Sequence, residues 1–540
     1  MPTLNWIGKQ AVEKHHLEIP YRLLEYDESL SAGDQESGNL LIQGDNLHAL
    51  KALLPYYASK VKCIYIDPPY NTGNEKWSYN DNVNSPEMKS WLNKTVGSEG
   101  DDLSRHDKWL CMMYPRLQLL KKFLKPDGII FASIDENEVH HFRILFDDIF
   151  GKSNFISQLG WQKVYSPKNQ STYFSNDYEY VICYARNIDK AVINLLPRTA
   201  EMDKRYKNPD DDPRGPWQSG DLIANEERTG GHFIVKSPKT GKEFDAPQGK
   251  HWSYSEENIN KFIKDNRIWF GKTGNNFPRI KQFLTEVKQG RKASSLLSYK
   301  DFGHTDEAKK DLKKIFSEME EIPFQTPKPV RLIKNLIILG SKPGDIILDS
   351  FAGTGTTAQA VLELNQLENK NRNFILVELE EKIAKSVTSE RIKKVITGYT
   401  IKKPNDTSQD VEGLGSGFRY CNLGESLFDK FGNVREGVKF QELARHIFFS
   451  ETGSPLSEKA KLNTPKIGTY KGNAYYLLFN GILGDKSVNG GNVLTSKILA
   501  SLPKHSGLKI IFGEANRLGS DRLKKENVIF KQIPYEIKTS

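Results

Sequence analysis

Cysteine is scarce. Cys63, Cys111, Cys183 and Cys421 are the four in 540 residues, far apart and with no CxxC pair. That spacing excludes a zinc ribbon or a disulfide framework and leaves four reduced, partly buried thiols. No apolar run approaches the roughly 18 residues that a membrane helix needs, which excludes a membrane-spanning role. The stretch Met1 to Pro20 mixes Lys9, Glu13, Lys14, His15 and His16 among apolar residues. It has no apolar core of a secretion signal, so a cytoplasmic location is expected. Neither sign of charge dominates, with 77 basic and 68 acidic residues giving a net charge of +9. An excess this small for the length is compatible with a polyanionic partner without demanding one. What is present is a globular composition, 37% hydrophobic and 27% charged, in a chain long enough for two to four domains. There is no internal repeat.

Along the chain, residues 1–160 carry an α/β pattern. Val61 to Ile66 (VKCIYI) is a short apolar strand stopping at Asp67, Trp109 to Phe123 has helical periodicity, and Ile129 to Ile134 (IIFASI) follows the Pro126-Asp127-Gly128 turn as a second buried strand. Alternating strands and helices predict a parallel sheet covered on both faces. Residues 161–300 are richer in Lys, Asn, Gly, Pro and aromatics, with turn signals at Pro209 to Pro216 and Thr229-Gly230-Gly231, and read as an inserted loop-rich module. Residues 301–400 return to α/β, with a helix at Leu332–Leu339, a strand at Ile346–Leu348, a helix from about Thr356 and a strand at Phe374–Val377. A polar stretch from Lys402 to Asp410 reads as a linker. Residues 411–540 read as a smaller α/β domain with strands at Leu508–Phe512 and Val528–Phe530.

Asp67-Pro68-Pro69-Tyr70 ends the first buried strand, and the carboxyl ends of strands are where open α/β sheets bind ligands. These residue types suit the holding of a planar aromatic amine. Asp67 offers a carboxylate, and Pro69 has no N–H and a fixed φ that can leave the Pro68 carbonyl free. Two acceptors match the two hydrogens of an amino group. Tyr70 adds a flat face on which a base drawn from a duplex can stack. A rigid strand-end turn would use the same residues, so the motif gains weight only from its surroundings.

Asp349-Ser350-Phe351-Ala352-Gly353-Thr354-Gly355 also follows a buried strand and opens a helix. Gly353 and Gly355 permit a tight turn and close approach to a ligand, and Ala358 completes a G-x-G-x-x-A pattern. Glu378 ends the next strand at the separation expected of an acid that holds ribose hydroxyls. Alone, this motif specifies an adenosine-type cofactor. A cofactor loop and an amine-binding strand end in one sheet together predict methyl transfer to an exocyclic amine.

At this point the sequence resembles the amino methyltransferases of DNA, and the order of the two motifs resembles the β class, a circular permutation of the same final sheet. Asn5 to Lys9 (NWIGK), Leu41 to Asn46 (LIQGDN), Asp67 to Gly73 (DPPYNTG), Asp212 to Asp221 (DPRGPWQSGD), Asn266 to Gly271 (NRIWFG), Phe302-Gly303-His304 and Gln532 to Glu536 look like the modification (Mod) subunits of type III restriction–modification systems. The resemblance implies a doubly wound Rossmann-like sheet with permuted motif order, an inserted DNA-recognition module and a small C-terminal α/β domain. It implies S-adenosylmethionine as cofactor and N6-methylation of adenine in double-stranded DNA. Position by position, it implies that Asp67, Pro68 and Pro69 form the amine site and that Tyr70 stacks on the flipped base. Phe351, Gly353 and Gly355 would lie against the cofactor, Asp349 near its methionine ammonium, Glu378 on its ribose, and Lys328 of Thr326-Pro327-Lys328-Pro329 near its carboxylate. Asp45 is a weaker candidate for the adenine. Residues of about 190–300 would contact DNA, although this region is compact for the family. A homodimer and a helicase-nuclease restriction subunit are the protein partners implied. Direct transfer from a sulfonium needs no metal and no covalent nucleophile, and the chain has no Pro-Cys dipeptide of the kind cytosine-C5 enzymes use.

Three other readings stay open at this stage. N4-cytosine methylation uses the same geometry, with Asp rather than Ser at the first motif position favouring adenine. A nicotinamide-dependent oxidoreductase could use Gly353 to Glu378 but leaves Asp67 to Tyr70 unexplained. A recognition-only subunit could guide a nuclease. Trp217, Trp252 and Trp269, beside Lys242, Lys250, Lys261 and Arg267, suit DNA contact as a group, though each alone is more simply a core residue. Lys309, Lys310, Lys313 and Lys314 read as a solvated helix face. His140 and His141, after Asp135 to Glu138, read as surface or cap residues at a helix start, with nothing in the sequence to complete a metal site.

Overall fold

Val61–Ile66, β3, is buried at all six positions, as a strand covered on both faces must be. It lies inside a ten-stranded sheet. In chain order the strands are β1 (Arg22–Gly33), β2 (Leu40–Gln43), β3, β4 (Leu124–Ile134), β5 (Phe155–Gln162), β6 (Tyr178–Ala185), β7 (Leu296–Leu297), β8 (Ile346–Asp349), β9 (Asn373–Glu378) and β10 (Gly417–Ser426). Their spatial order is β1-β10-β2-β9-β8-β3-β4-β6-β5-β7. The six strands from β10 to β4 are mutually parallel, and β6 runs antiparallel between β4 and β5. The computed structural model describes residues 4–72, 105–166, 173–226, 230–319, 324, 326–402, 407–457, 460, 462–479, 482, 484 and 491–533. Gly73, residues 403–406 of the expected linker and Pro534 to Glu536 lie outside them.

The sheet has its switch point at its centre. From β8 the chain passes through a helix at Thr356–Glu368 to β9 on one side; from β3 it passes to β4 on the other, with the helix α2 (Arg105–Phe123) before that strand. The carboxyl ends of β8 and β3 therefore open a crevice between crossovers that diverge, which is where such sheets bind ligands. Both motifs of the sequence sit at this point.

Contacts divide the chain into two compact units, Met1–Asn194 with Ser294–Ser540, and Leu195–Ala293. The expected insertion at 161–300 is thus broader than the separate unit. Trp161 and residues 178–185 belong to β5 and β6, whose buried run Val181 to Ala185 completes the sheet. The expected linker is also different: Gly398–Lys402 and Ser408–Glu412 pair as antiparallel strands. The region 411–540 is not set apart from the ten-stranded sheet. β10 pairs with β2 inside it, and the smaller sheet, Lys466–Tyr470, Asn473–Leu477, Lys509–Gly513 and Val528–Gln532, shares its apolar core through Ile447, Tyr475 and Phe512. A continuous core of this kind removes the reason for a domain boundary.

In the unit Leu195–Ala293, Leu222, Val235, Phe244, Trp252, Ile259 and Ile280 form a core. Trp217 and Trp252 are buried and Trp269 half-buried, so these tryptophans pack inside the unit. Lys281 is fully enclosed, 3.0 Å from Asp212, paired also with Asp210, and 5.5 Å from the Trp217 ring centre. All four cysteines are buried and free. No described helix is long and apolar enough to cross a membrane.

Gly340 closes the helix α4 (Val330–Gly340) against the sheet. A Cβ there would come within 2.8 Å of the Phe131 ring and 2.9 Å of the Cys63 sulfur. Helix propensity favours Ala over Gly by about 1 kcal/mol, yet overpacking against an aromatic ring and a strand costs about 1–3 kcal/mol. Gly340→Ala is therefore expected to lower stability in denaturant titration, and a stabilised variant would contradict this packing.

Candidate active site

The crevice at the switch point is a cavity of about 240 Å³. Asp67, Pro68, Pro69 and Tyr70 line one side; Asp349, Phe351, Ala352, Gly353, Thr356 and Thr357 line the other; Phe324 and Thr326 to Lys328 complete it. The structure thus brings Asp67 to Tyr70, Lys328, Asp349, Phe351 and Gly353 together, from parts of the chain more than 250 residues apart.

At the Asp67 end the dominant feature is one ammonium. Lys328 Nζ donates to Asp67 Oδ1 at 2.9 Å, to Asp67 Oδ2 at 2.8 Å and to the Tyr70 hydroxyl at 2.8 Å. It also sits 3.5 Å from Glu179 and 4.8 Å from the centre of the Tyr70 ring. Tyr70 lies 2.8 Å from Asp67 Oδ1 and 2.9 Å from Glu179 Oε2, and can give its one proton to either. Burial alone would lower the Lys328 pKa, but Asp67 and Glu179 carry it above the ordinary lysine value. Burial alone would raise Glu179, and Lys328 with Lys163 more than offsets it, holding the carboxyl below its usual range. Burial, then Asp67 and Glu179, keep the Tyr70 phenol well above its ordinary value and hence neutral. The turn itself is fastened by Trp109, whose indole N–H donates to the Pro69 carbonyl at 2.7 Å.

The other end is the glycine turn. Gly353 and Gly355 have φ of 50° and 77°, a left-handed conformation that L side chains resist. A Cβ on Gly353 would meet the Phe324 ring at 3.0 Å, and one on Gly355 would meet Thr388 at 3.1 Å. So Gly353 faces the cavity, whereas Gly355, which does not line it, packs its turn against the chain behind. Asp349 is fully enclosed, and burial raises its pKa to about 7 although Thr357 donates to it at 2.5 Å and the Phe351 N–H at 3.0 Å.

Two further candidates lie outside the cavity wall. Glu378 accepts the Gly353 N–H at 2.7 Å and the Glu380 N–H at 3.0 Å, so it props the turn from behind. Asp45 caps the helix α1 (Asn46–Tyr57) through the His48 N–H at 3.0 Å and pairs with Arg116 at 3.1 Å.

Sequence reasoning missed Glu179, Trp109 and Arg391. Glu179 belongs to β6, read from sequence as loop, so its alignment with Asp67 was invisible. Arg391 is fully buried in the helix Ser389–Thr397 and donates to Thr354 Oγ1 at 2.7 Å and Thr356 Oγ1 at 3.0 Å, bracing the turn; burial lowers its pKa to about 10. Nothing local marks it, because a basic residue on an amphipathic helix is usually solvated.

Comparison with known proteins gives a consistent picture. Residues 61–389 match a family described as DNA methylase. The chain is 31% identical to the type III restriction-modification enzyme EcoPI Mod subunit of Escherichia phage P1, covering 76% of this chain and 70% of that protein. It is 31% identical to the StyLTI Mod subunit of Salmonella typhimurium, covering 72% of this chain and 60% of that protein, so it spans well under the whole length of that relative. It is 30% identical to the type II methyltransferase M.KpnI of Klebsiella pneumoniae, covering 66% of this chain and 84% of that one.

The ammonium makes a stability prediction. Lys328→Met leaves two largely enclosed carboxylates, 23% and 12% exposed at their side chains, facing each other. The loss should be about 2–4 kcal/mol by denaturant titration. In an Asp67→Asn background it should shrink, and equal losses in both backgrounds would show that the pairing carries none of it.

Proposed function

The chain belongs to the DNA methylase family, and from that premise we propose that it transfers a methyl group from S-adenosylmethionine to the N6 amino group of an adenine in double-stranded DNA. The observation that carries this reading is the Lys328 ammonium in the grip of Asp67 and Tyr70. A nitrogen with hydrogens to donate already sits where an exocyclic amine would have to sit. The adenine amine takes over the Asp67 oxygens as Lys328 withdraws toward Glu179.

The residues around the cavity fit the cofactor. Gly353 leaves room that a side chain would fill, and Asp349 is an enclosed acid suited to an ammonium. Phe351 offers an apolar wall. S-adenosylmethionine bound there supplies an electrophilic methyl group on a sulfonium. Asp67 and the Pro68 carbonyl orient the amine hydrogens so that the nitrogen lone pair turns out of the ring's conjugation. Tyr70 supports the face of the flipped base. Asp67 stabilises the positive charge that builds on the nitrogen, and positioning and electrostatics together lower the barrier. Glu378 and Arg391 act one step removed, by holding the glycine turn in shape.

The kinship to proteins named Mod subunits of type III restriction-modification enzymes supports a modification role in such a system; a helicase-nuclease subunit as partner, a homodimeric assembly and a cytoplasmic location are part of the same proposal. The unit Leu195–Ala293 is the part assigned to DNA recognition in this proposal.

Asp67→Ala is expected to lower methyl transfer to DNA by about a hundredfold or more, while calorimetry finds cofactor affinity within a few-fold of wild type. Wild-type rates in that variant would remove Asp67 from the reaction. A pH dependence follows from Asp349, whose carboxyl burial raises from 3.8 to about 7. A folded pKa above the unfolded one contributes stability below about pH 4 that is lost as the pH rises through about 7. The carboxylate that a cofactor ammonium needs forms over the same upper range. Cofactor affinity should therefore rise about fivefold from pH 6 to 7 on account of this group, and Asp349→Asn should remove that increment. An unchanged slope in the variant would contradict the assignment.

A further inference from the structure

One cluster outside the methyl-transfer cavity has the composition of a metal site. Glu138 occupies the N-cap position of the helix α3 (Val139–Phe150), and its side chain is wholly enclosed without capping that helix. Its charge meets no lysine or arginine among the described residues. Instead His106, in the first turn of α2, places Nδ1 2.7 Å from Glu138 Oε1. His141, in the first turn of α3, places Nδ1 3.0 Å from Glu138 Oε2. The two imidazole rings lie 4.9 Å apart. One donor atom from each of the three residues can be chosen so that all lie within 4.8 Å of one another. Sequence reading had weighed His140 and His141, neighbours in the chain. Helical geometry separates them: His140 is exposed, and the fold recruits His106 from another helix in its place.

We infer that His106, Glu138 and His141 bind a divalent first-row transition ion, of which zinc is the representative. Two imidazole nitrogens and one carboxylate are the donor set such ions prefer over magnesium or calcium, which take oxygen. Two ligands at about 2.1 Å from a tetrahedral ion are about 3.4 Å apart, so the spacings of 2.7 and 3.0 Å to Glu138 need open by only about half an ångström to admit one. Binding would shift the imidazole proton from Nδ1, which now faces Glu138 at hydrogen-bond distance, to Nε2, so that the Nδ1 lone pair turns to the ion. Both histidine side chains are about one-third exposed, at 37% and 35%, so an ion has a route in and water can complete its shell.

The site also has a mechanical connection. Asn71, the residue after Tyr70, donates its side-chain amide to Glu138 Oε1. Its φ of 58° shows that the backbone turns sharply there. Trp109, one turn along α2 from His106, holds the Pro69 carbonyl at 2.7 Å. An ion tying α2 to α3 through Glu138 therefore fixes the amine-binding turn from behind. It takes no part in the transfer itself, so the site stands whether or not the methyl-transfer reading does.

The test uses the full chain without an affinity tag, stripped with a chelator and titrated with zinc by calorimetry, with thermal melting alongside. The expected result is one zinc per chain with a dissociation constant of about 1 µM or tighter, and a melting temperature that rises with zinc. His106→Ala and His141→Ala should each weaken binding more than about tenfold and abolish the zinc-dependent rise. His140→Ala, on the same helix but outside the cluster, should bind as wild type does. The partly exposed histidines make these variants tolerable to the fold, which their zinc-free melting checks. Absence of binding to the wild-type chain, or unchanged binding in both histidine variants, overturns the site and leaves a hydrogen-bonded brace.

Discussion

Two carboxylates share one enclosed pocket, and the Lys328 ammonium between them, with Lys163 beside Glu179, reconciles them. Asp67 follows β3, Glu179 lies in the antiparallel strand β6, and Lys328 lies two residues before the helix α4. Burying like charges side by side is costly unless a cation stands between them. The position of Lys328 therefore fixes how three distant parts of the chain come together. Much else follows from it: the Tyr70 hydroxyl is held beside both carboxylates, and the ring lies 4.8 Å from the ammonium.

The same arrangement accounts for why the site would favour an amine. Its acceptors are already set for N–H groups. The opposite wall is built by a different means. There the backbone is bent into left-handed conformations at Gly353 and Gly355, and buried groups behind it, Glu378 and Arg391, satisfy its polar atoms. One wall recognises by charge and the other by the absence of side chains. The proposed transfer needs both, because an amine must be oriented while a large cofactor approaches the main chain closely.

The sheet and the two motif loops were legible in the sequence because each rests on local signals. A buried run of six residues ending at Asp67 and a glycine turn after Leu348 carry their meaning within a few positions. What escaped was everything set by long-range pairing. β6 was hidden in a polar, aromatic-rich stretch, and with it Glu179. The chain after 411 read as a separate domain because the polar stretch from Lys402 to Asp410 reads as a linker, whereas β10 belongs to the central sheet and the apolar core runs on unbroken. Lys328 was placed by resemblance near a cofactor carboxylate, and the structure puts its ammonium on Asp67 instead. Glu378 was expected to face ribose hydroxyls, and its oxygens are engaged with backbone N–H groups. The Asp67 partner of Lys328 lies 261 residues away, where local sequence gives no sign of it.

The central claim is that the Asp67 pocket receives an adenine amine and that the glycine-turn cavity delivers a methyl group to it. The most direct measurement is to incubate the purified chain with unmethylated duplex DNA and isotopically labelled S-adenosylmethionine, digest to nucleosides and identify the labelled species by mass spectrometry. The account predicts label in N6-methyladenine. Label in N4-methylcytosine, or bound cofactor with no label in any nucleoside, would contradict it.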